Sequence, residues 1–160
     1  MQNDYIIRII QQFTLAILSI VRARKAGDNK EAREIVRTTA RYLLQVDVDL
    51  LLFYDPNQIL DYFKDFSDRL ETEKCALAAD LLLELALIEE SEKNLVAARS
   101  LKILSLYLYT VAIPKEPKFQ NIEYFEKVES LIKELQGQTF PEKTLESLLS
   151  YREFLEPKIV

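Results

Sequence analysis

ETEKCALAADLLLELALIEESEKNLVAARSLKILSLYLYTVAIP, residues 71–114, is the stretch on which the fold turns. It is rich in Leu, Ile, Val and Ala and reads as two long helices folded back on each other. The first is expected over about Glu73 to Glu90. Ala76, Ala79, Leu82, Leu83, Ala86 and Leu87 fall at helical spacing on one face, and Leu77, Leu81, Leu85 and Ile88 carry the apolar surface further round. A helix apolar on most sides is one that other elements cover. The second is expected over about Ser91 to Ile113, capped by Ser91 and ended by Pro114 and Pro117. It is again apolar nearly all round, so the pair is the central hairpin and the remaining helices should pack over it.

Upstream, a first helix is expected over Asp4 to Lys25, with Asn3 or Asp4 as cap and Gly27 as stop. Ile6, Ile9, Ile10, Phe13, Ala16, Ile17 and Ile20 make its apolar face. A second helix follows over Asn29 to Val46 with Asp28 as cap, so the two are antiparallel neighbours. Its apolar face is Ala32, Ile35, Val36, Thr39, Leu43 and Val46, and Lys30, Arg33, Arg37 and Arg41 form a basic stripe on the far side. Asp47 to Tyr54 has no helical period. It is read as a short helix, because no second strand is available to pair with it. Asp55-Pro56 is a helix start, with Ile59, Leu60, Phe63, Phe66 and Leu70 giving a helix to about Arg69.

Downstream, Asn121 should cap a helix whose inner face is Ile122, Phe125, Val128, Leu131, Ile132 and Leu135, stopped by Gly137. Thr139 with Glu142 is a candidate capping box for a last helix that packs back through Leu145, Leu148, Leu149 and Leu155, with Pro157 as its stop. The reading is an all-α single domain over residues 1–160, an array of antiparallel helical hairpins with about seven or eight helices.

Composition narrows the functions. The chain of 160 residues has two glycines, five prolines, one cysteine and no histidine. Without histidine there is no Ser-His or Cys-His activation and no His-ligated metal site. One cysteine forms neither an internal disulfide nor a thiolate zinc site, and Cys75, among alanines, reads as a buried helix residue. Two isolated glycines make no phosphate-binding loop. No cofactor or metal is expected, and an enzyme built on Asp, Glu, Lys, Arg and Tyr alone is the third-ranked reading. The polar start MQNDYIIRII does not read as a signal peptide, and no unbroken apolar run has the length of a membrane span. A cytoplasmic location off the membrane is the expectation.

Charge is uneven. Residues 1–45 carry 8 Lys/Arg against 4 Asp/Glu, residues 46–73 carry 2 against 8, and residues 74–160 carry 11 against 14. The basic and acidic quarters suit attraction to each other or to partners. For the stripe Lys30, Arg33, Arg37 and Arg41, the first reading is a solvated face or pairing with the acidic segment. An acidic protein partner comes second, and nucleic acid third, against the negative net charge. Asp55, Asp61, Asp65 and Asp68 stand as a solvated set, with Asp61, Asp65 and Asp68 on one helix face, rather than a cation site. Tyr107 and Tyr109 point to different sides of their helix, as core residues or as an interface contact.

"AGDNKEAREIVRTTARYLL" and "SEKNLVAARSLKILSLYLY" share a form, a polar turn followed by Ala in the first turns of a helix. Ala32 followed by Val36, and Ala97 followed by Leu101, match the small-then-large spacing of tetratricopeptide repeats. The Trp, Leu-Gly and closing Pro of that pattern are absent. "NDYIIRIIQQFTLAIL", residues 3–18, resembles the opening of an uncharacterised bacterial all-helical family whose members carry a tetratricopeptide-like centre. The resemblance implies a cytoplasmic helical protein and carries over no site residues. Together these readings point to a non-enzymatic scaffold or adaptor that binds a protein, itself included, since apolar outer faces on terminal hairpins favour self-association. A helical regulator with a small ligand in its core is the alternative.

Overall fold

The structure, a computed structural model, describes residues 2–159, with side chains from Asp4 to Glu156. Those residues form eight α-helices and no named strand: α1 (Gln2–Lys25), α2 (Asn29–Thr39), α3 (Val48–Leu51), α4 (Pro56–Ile59), α5 (Thr72–Ser91), α6 (Leu95–Ala112), α7 (Ile122–Glu134) and α8 (Glu142–Ile159). Short 3-10 turns follow α4 and α6. The central hairpin is α5–α6. Helices α1 and α2 form a second hairpin laid against α5, and α7 and α8 both lie against α6.

The core is where the sequence puts it. Leu81, Leu82 and Ile88 of α5 and Leu106 and Leu108 of α6 are fully buried, as are Ala76, Ala79 and Ala86. Cys75 is buried among them. Both tyrosines of α6 are core residues, Tyr107 at 4% exposure and Tyr109 at 0%. Polar side chains then pin the helices to one another. Ser105 Oγ donates to the Ala79 carbonyl across the central hairpin at 2.8 Å. The carboxylates of α5 and its C-cap Glu92 take cations from four other helices: Glu84 from Arg24 of α1, Glu89 and Glu92 from Arg33 of α2, Glu90 from Lys102 of α6, and Asp80 from Lys127 of α7.

Several elements differ from the sequence expectation. Helix α1 already starts at Gln2, so Asp4 lies inside its first turn rather than at a cap, and the Asn3 side chain lies outside the described residues. Helix α2 does not run to Val46. It passes into a π-helical turn at Ala40–Leu44 that closes on left-handed Gln45, φ 55°. A π turn holds an extra residue, which advances the buried face. Ala40 and Leu44 are buried in place of Leu43.

The helix expected to reach Arg69 stops at the 3-10 turn Leu60–Phe63. Lys64 is extended, Asp68 is left-handed at φ 62°, and Lys64 and Leu70 form an isolated antiparallel bridge. The Asp65 carboxylate holds this loop, accepting from the backbone N–H of Ser67 at 2.8 Å and of Arg69 at 3.0 Å. The loop is tied down by the Glu71 N–H donating to the Phe63 carbonyl at 2.7 Å. Phe66 points fully into solvent.

Ser91 ends α5 instead of capping α6. Its hydroxyl donates back to the Ile88 carbonyl, left-handed Lys93 turns the chain, and Asn94 occupies the cap position. Asn121 does cap α7, through the Tyr124 N–H at 3.2 Å, but Ile122 is 75% exposed rather than inward. Helix α8 begins at Glu142 directly after Pro141, so Thr139 is not its cap, and it continues through Pro157, whose fixed φ is itself helical. Its core face is Thr144, Ser147 and Tyr151. Leu145 and Leu149 face out, because Thr110 of α6 donates to Ser147 Oγ at 2.8 Å and small hydroxyl side chains let the two helices approach.

Candidate interaction surface on the second helix

Helix α2 carries the basic stripe, and its geometry follows from local sequence. Asp28 accepts from the Glu31 N–H at 3.1 Å and fixes the helix start. Buried Ala32, Val36 and Thr39 fix which face turns in. The four cations then lie on the flanks and outer side, and the structure divides them into two pairs.

Arg33 turns toward α5. Its guanidinium donates to Glu89 Oε1 at 2.9 Å and to both oxygens of Glu92, one of them at 3.0 Å. Asn29 also donates to Glu92, and Arg33 and Asn29 together hold the Glu92 carboxyl below its ordinary range. The same hydrogen bonds to Glu92 raise the Arg33 pKa, with burial opposing. Arg37 donates from Nε to Asp49 Oδ2 at 3.0 Å and lies 3.7 Å from Glu34. Pairing with the acidic segment therefore holds for Arg37, through Asp49, whereas Arg33 pairs with α5. Lys30 and Arg41 are exposed and make no ion pair among the described residues.

The π turn sets Arg41 and its neighbour at the surface. Tyr42 is 71% exposed. On the far side of the Arg37–Asp49 pair, α3 is a single turn whose N-terminus is closed by the Asp47 carboxylate on the Asp49 N–H. One turn buries Val48 and Leu51 and leaves Leu50, Leu52 and Phe53 in solvent, Phe53 at 85%. Sequence reasoning missed these apolar residues as site members. Their signal was the aperiodic run Leu50-Leu51-Leu52-Phe53, which no single-faced element can bury whole. The surface at this end of α2 thus combines the free cation Arg41 with four exposed apolar side chains, the Arg37–Asp49 pair between them, and Lys30 lies at the other end of the helix.

The acidic set is used internally. Asp55 caps α4 through the Asn57 N–H, Asp65 holds the loop, and Asp61 and Asp68 both face Lys64, at 2.9 and 3.6 Å. Asp61, Asp65 and Asp68 do not share a helix face, because no helix spans them. Among the described residues no three His, Cys, Asp or Glu side chains converge as metal ligands. Open clefts lie elsewhere, two of them against α1. One of about 430 Å³ sits between the starts of α1 and α5 and the end of α2, floored by Leu44 and Leu77, with Lys74 at its rim. The other, about 300 Å³, sits between α1, α5 and α7 over Asp80.

Comparison with protein-family models, with curated proteins and with solved structures finds no match to this chain.

Proposed function

We propose that this chain is a non-enzymatic protein–protein interaction module, a scaffold or adaptor, arranged as a tetratricopeptide-like array. Support for the array comes from two packed hairpins in series, α1–α2 and α5–α6, with α3 and α4 interrupting the period between them; α7 and α8, expected as a last hairpin, each pack on α6 rather than on each other. The observation that carries the functional reading is the surface around the end of α2, where free Arg41 stands beside exposed Tyr42 and the Arg37–Asp49 pair links it to exposed Leu50, Leu52 and Phe53. Cations beside a Tyr and other apolar contacts suit an acidic protein segment with an apolar anchor, because the charges steer the encounter and the apolar side chains hold the complex.

Co-purification from the native host, with the wild type and an Arg41→Glu/Tyr42→Ala variant as parallel baits, tests it. A partner retained by the first and lost from the second supports the reading. Identical captures, or none, would overturn it. A filter-binding assay at low salt with single- and double-stranded nucleic acid should show no retention, since two or three cations neutralise too few phosphates.

The cleft floored by Leu44 and Leu77 favours the second reading, a helical regulator that binds a small apolar ligand. It is open rather than enclosed, and Glu71 already occupies Lys74 at 2.7 Å, so a ligand there would bind by its apolar body. Uptake of a hydrophobic fluorescent dye, abolished by Leu44→Glu, would support it. No uptake would exclude it.

A further inference from the structure

Helices α1 and α6 are equally able, by length and composition, to cross a membrane, yet they stand differently in the fold. Of the apolar stretch of α6, 61% is buried, and of that of α1 only 11%. The inner face of α1 is already used, with Phe13 and Ile20 buried against the hairpin. Its outer face is apolar as well, with Ile7 at 50%, Leu15 at 65% and Leu18 at 55% exposure. A helix apolar on both faces is one that something covers.

The outer stripe identifies the cover. Asp4, Ile7, Gln11, Leu15, Leu18 and Arg22 follow at spacings of three and four and fall within an arc of roughly 80° at about 100° per residue. The order is self-complementary when reversed. Asp4 answers Arg22, Ile7 answers Leu18, and Gln11 answers Leu15. All six are exposed or partly so, and neither Asp4 nor Arg22 has an ion partner among the described residues. No Lys or Arg lies between Arg8 and Arg22 to repel a second helix.

We propose that the outer face of α1 is a homodimer interface, in which two copies of α1 pack antiparallel about a two-fold axis near Phe13. Asp4 then meets Arg22 of the partner subunit at both ends, and the apolar residues meet between them. Self-complementarity of this kind is what an isologous interface requires. Antiparallel packing also opposes the two helix dipoles. A helix of 24 residues spans about 36 Å, so the contact is long and narrow. Three apolar anchors per copy put it at the low end of specific interfaces, and the dimer is reversible. A membrane fits the same face less well. Lifting α1 into lipid as a span would uncover Phe13 and Ile20, and a helix lying on a membrane carries cations along its polar face, whereas this one has none between Arg8 and Arg22.

The proposal deepens the interaction reading by naming the occupant of one surface. The heterologous partner is tested at Arg41 and Tyr42 and the dimer at α1, so either can fail alone. Sedimentation equilibrium of the full chain from micromolar to sub-millimolar concentration should show a monomer–dimer equilibrium. Leu15→Glu should weaken it by about 100-fold, a charge buried in the middle of the contact with no cation to meet it, with helical circular dichroism and the urea midpoint unchanged. The register is tested by charge exchange: Asp4→Arg and Arg22→Asp each weaken the dimer, and the double exchange restores it. A monomer at every concentration, a dimer indifferent to Leu15→Glu, or no rescue by the double exchange would overturn the proposal. So would a monomer that co-sediments with phosphatidylcholine–phosphatidylglycerol vesicles through Leu15 and Leu18.

Discussion

Lys127 Nζ, on α7, lies 3.0 Å from Asp80 Oδ1, in the middle of α5. Asp80 is 7% exposed, and two more donors reach it: the Tyr109 hydroxyl of α6 on the same oxygen and the Tyr124 hydroxyl of α7 on Oδ2 at 2.8 Å. The ammonium also stands 4.5 Å from the Tyr124 ring centroid. Burial pushes the Asp80 pKa up, and Lys127, Tyr109 and Tyr124 oppose it. One carboxylate thus fixes the meeting point of three helices. Removing its cation leaves a buried charge with hydroxyl donors alone. Lys127→Met is therefore expected to cost about 3 kcal/mol of unfolding free energy. Asp80→Asn, which keeps the shape and one acceptor, should cost about 1 kcal/mol. In urea titrations the double variant should lose less than the two singles combined. Additive losses would mean that the pair is not coupled.

Arg33 and Arg41 occupy the same basic stripe in sequence and should separate on mutation. Arg33→Ala removes the bridge from α2 to Glu89 of α5 and to Glu92 just beyond it and is expected to cost about 1 kcal/mol. Arg41→Ala removes no contact, so its effect on stability should stay within about 0.5 kcal/mol. Thermal melts of the two variants check this. Equal losses would mean that Arg41 has a structural partner.

What the sequence made legible was whatever local pattern alone determines. Leu81, Leu82, Leu106 and Leu108 are core because apolar residues surround α5 and α6 on every side. Asp28, Asp55 and Asn121 cap because their side chains reach N–H groups two or three residues on. Partners distant in the chain were not legible. Phe66 and Leu70 sit at helical spacing, but the Asp65 turn and the Glu71–Phe63 hydrogen bond bend the backbone there into a loop. Leu145 and Leu149 are the apolar residues of α8, yet Thr144 and Ser147 face inward, since Thr110 supplies the polar partner. Within the basic stripe, Glu89 and Glu92, more than fifty residues away, decide that Arg33 is taken and Arg41 is free.

Cys75 should be inert in the fold. It is buried, and burial pushes its thiol up to about 12. At pH 8 a thiol-specific aromatic disulfide should label it only after denaturation. The same shift makes stability fall in alkali. Below the ordinary thiol value of 9.0 both states hold the proton, so nothing is lost. As pH rises from there toward about 12, the unfolded chain gives up the proton first and unfolding is favoured, by up to about 1.4 kcal/mol per pH unit. Tyr151, also pushed up to about 12 by burial, adds to the slope in the upper part of that window. Cys75→Ala should flatten the alkaline limb of a stability–pH curve and leave the neutral region's slope unchanged. Rapid labelling of the native protein would contradict the burial.

Asp68 and Asp65 discriminate between the loop and the helix that the sequence pattern suggests for 64–69. In a helix, Asp68→Gly would destabilise, because glycine gives up the most backbone freedom there. In the loop Asp68 sits at φ 62°, a region that glycine enters without the Cβ penalty, so Asp68→Gly should be neutral or stabilise by up to about 0.5 kcal/mol. Asp65→Ala should behave oppositely. It leaves the N–H groups of Ser67 and Arg69 without their acceptor and is expected to cost about 1 kcal/mol. Asp61→Ala, which removes only an exposed pairing with Lys64, should be nearly silent. Urea midpoints of the three variants supply the comparison. A loss at Asp68→Gly as large as that at Asp65→Ala would restore the helix.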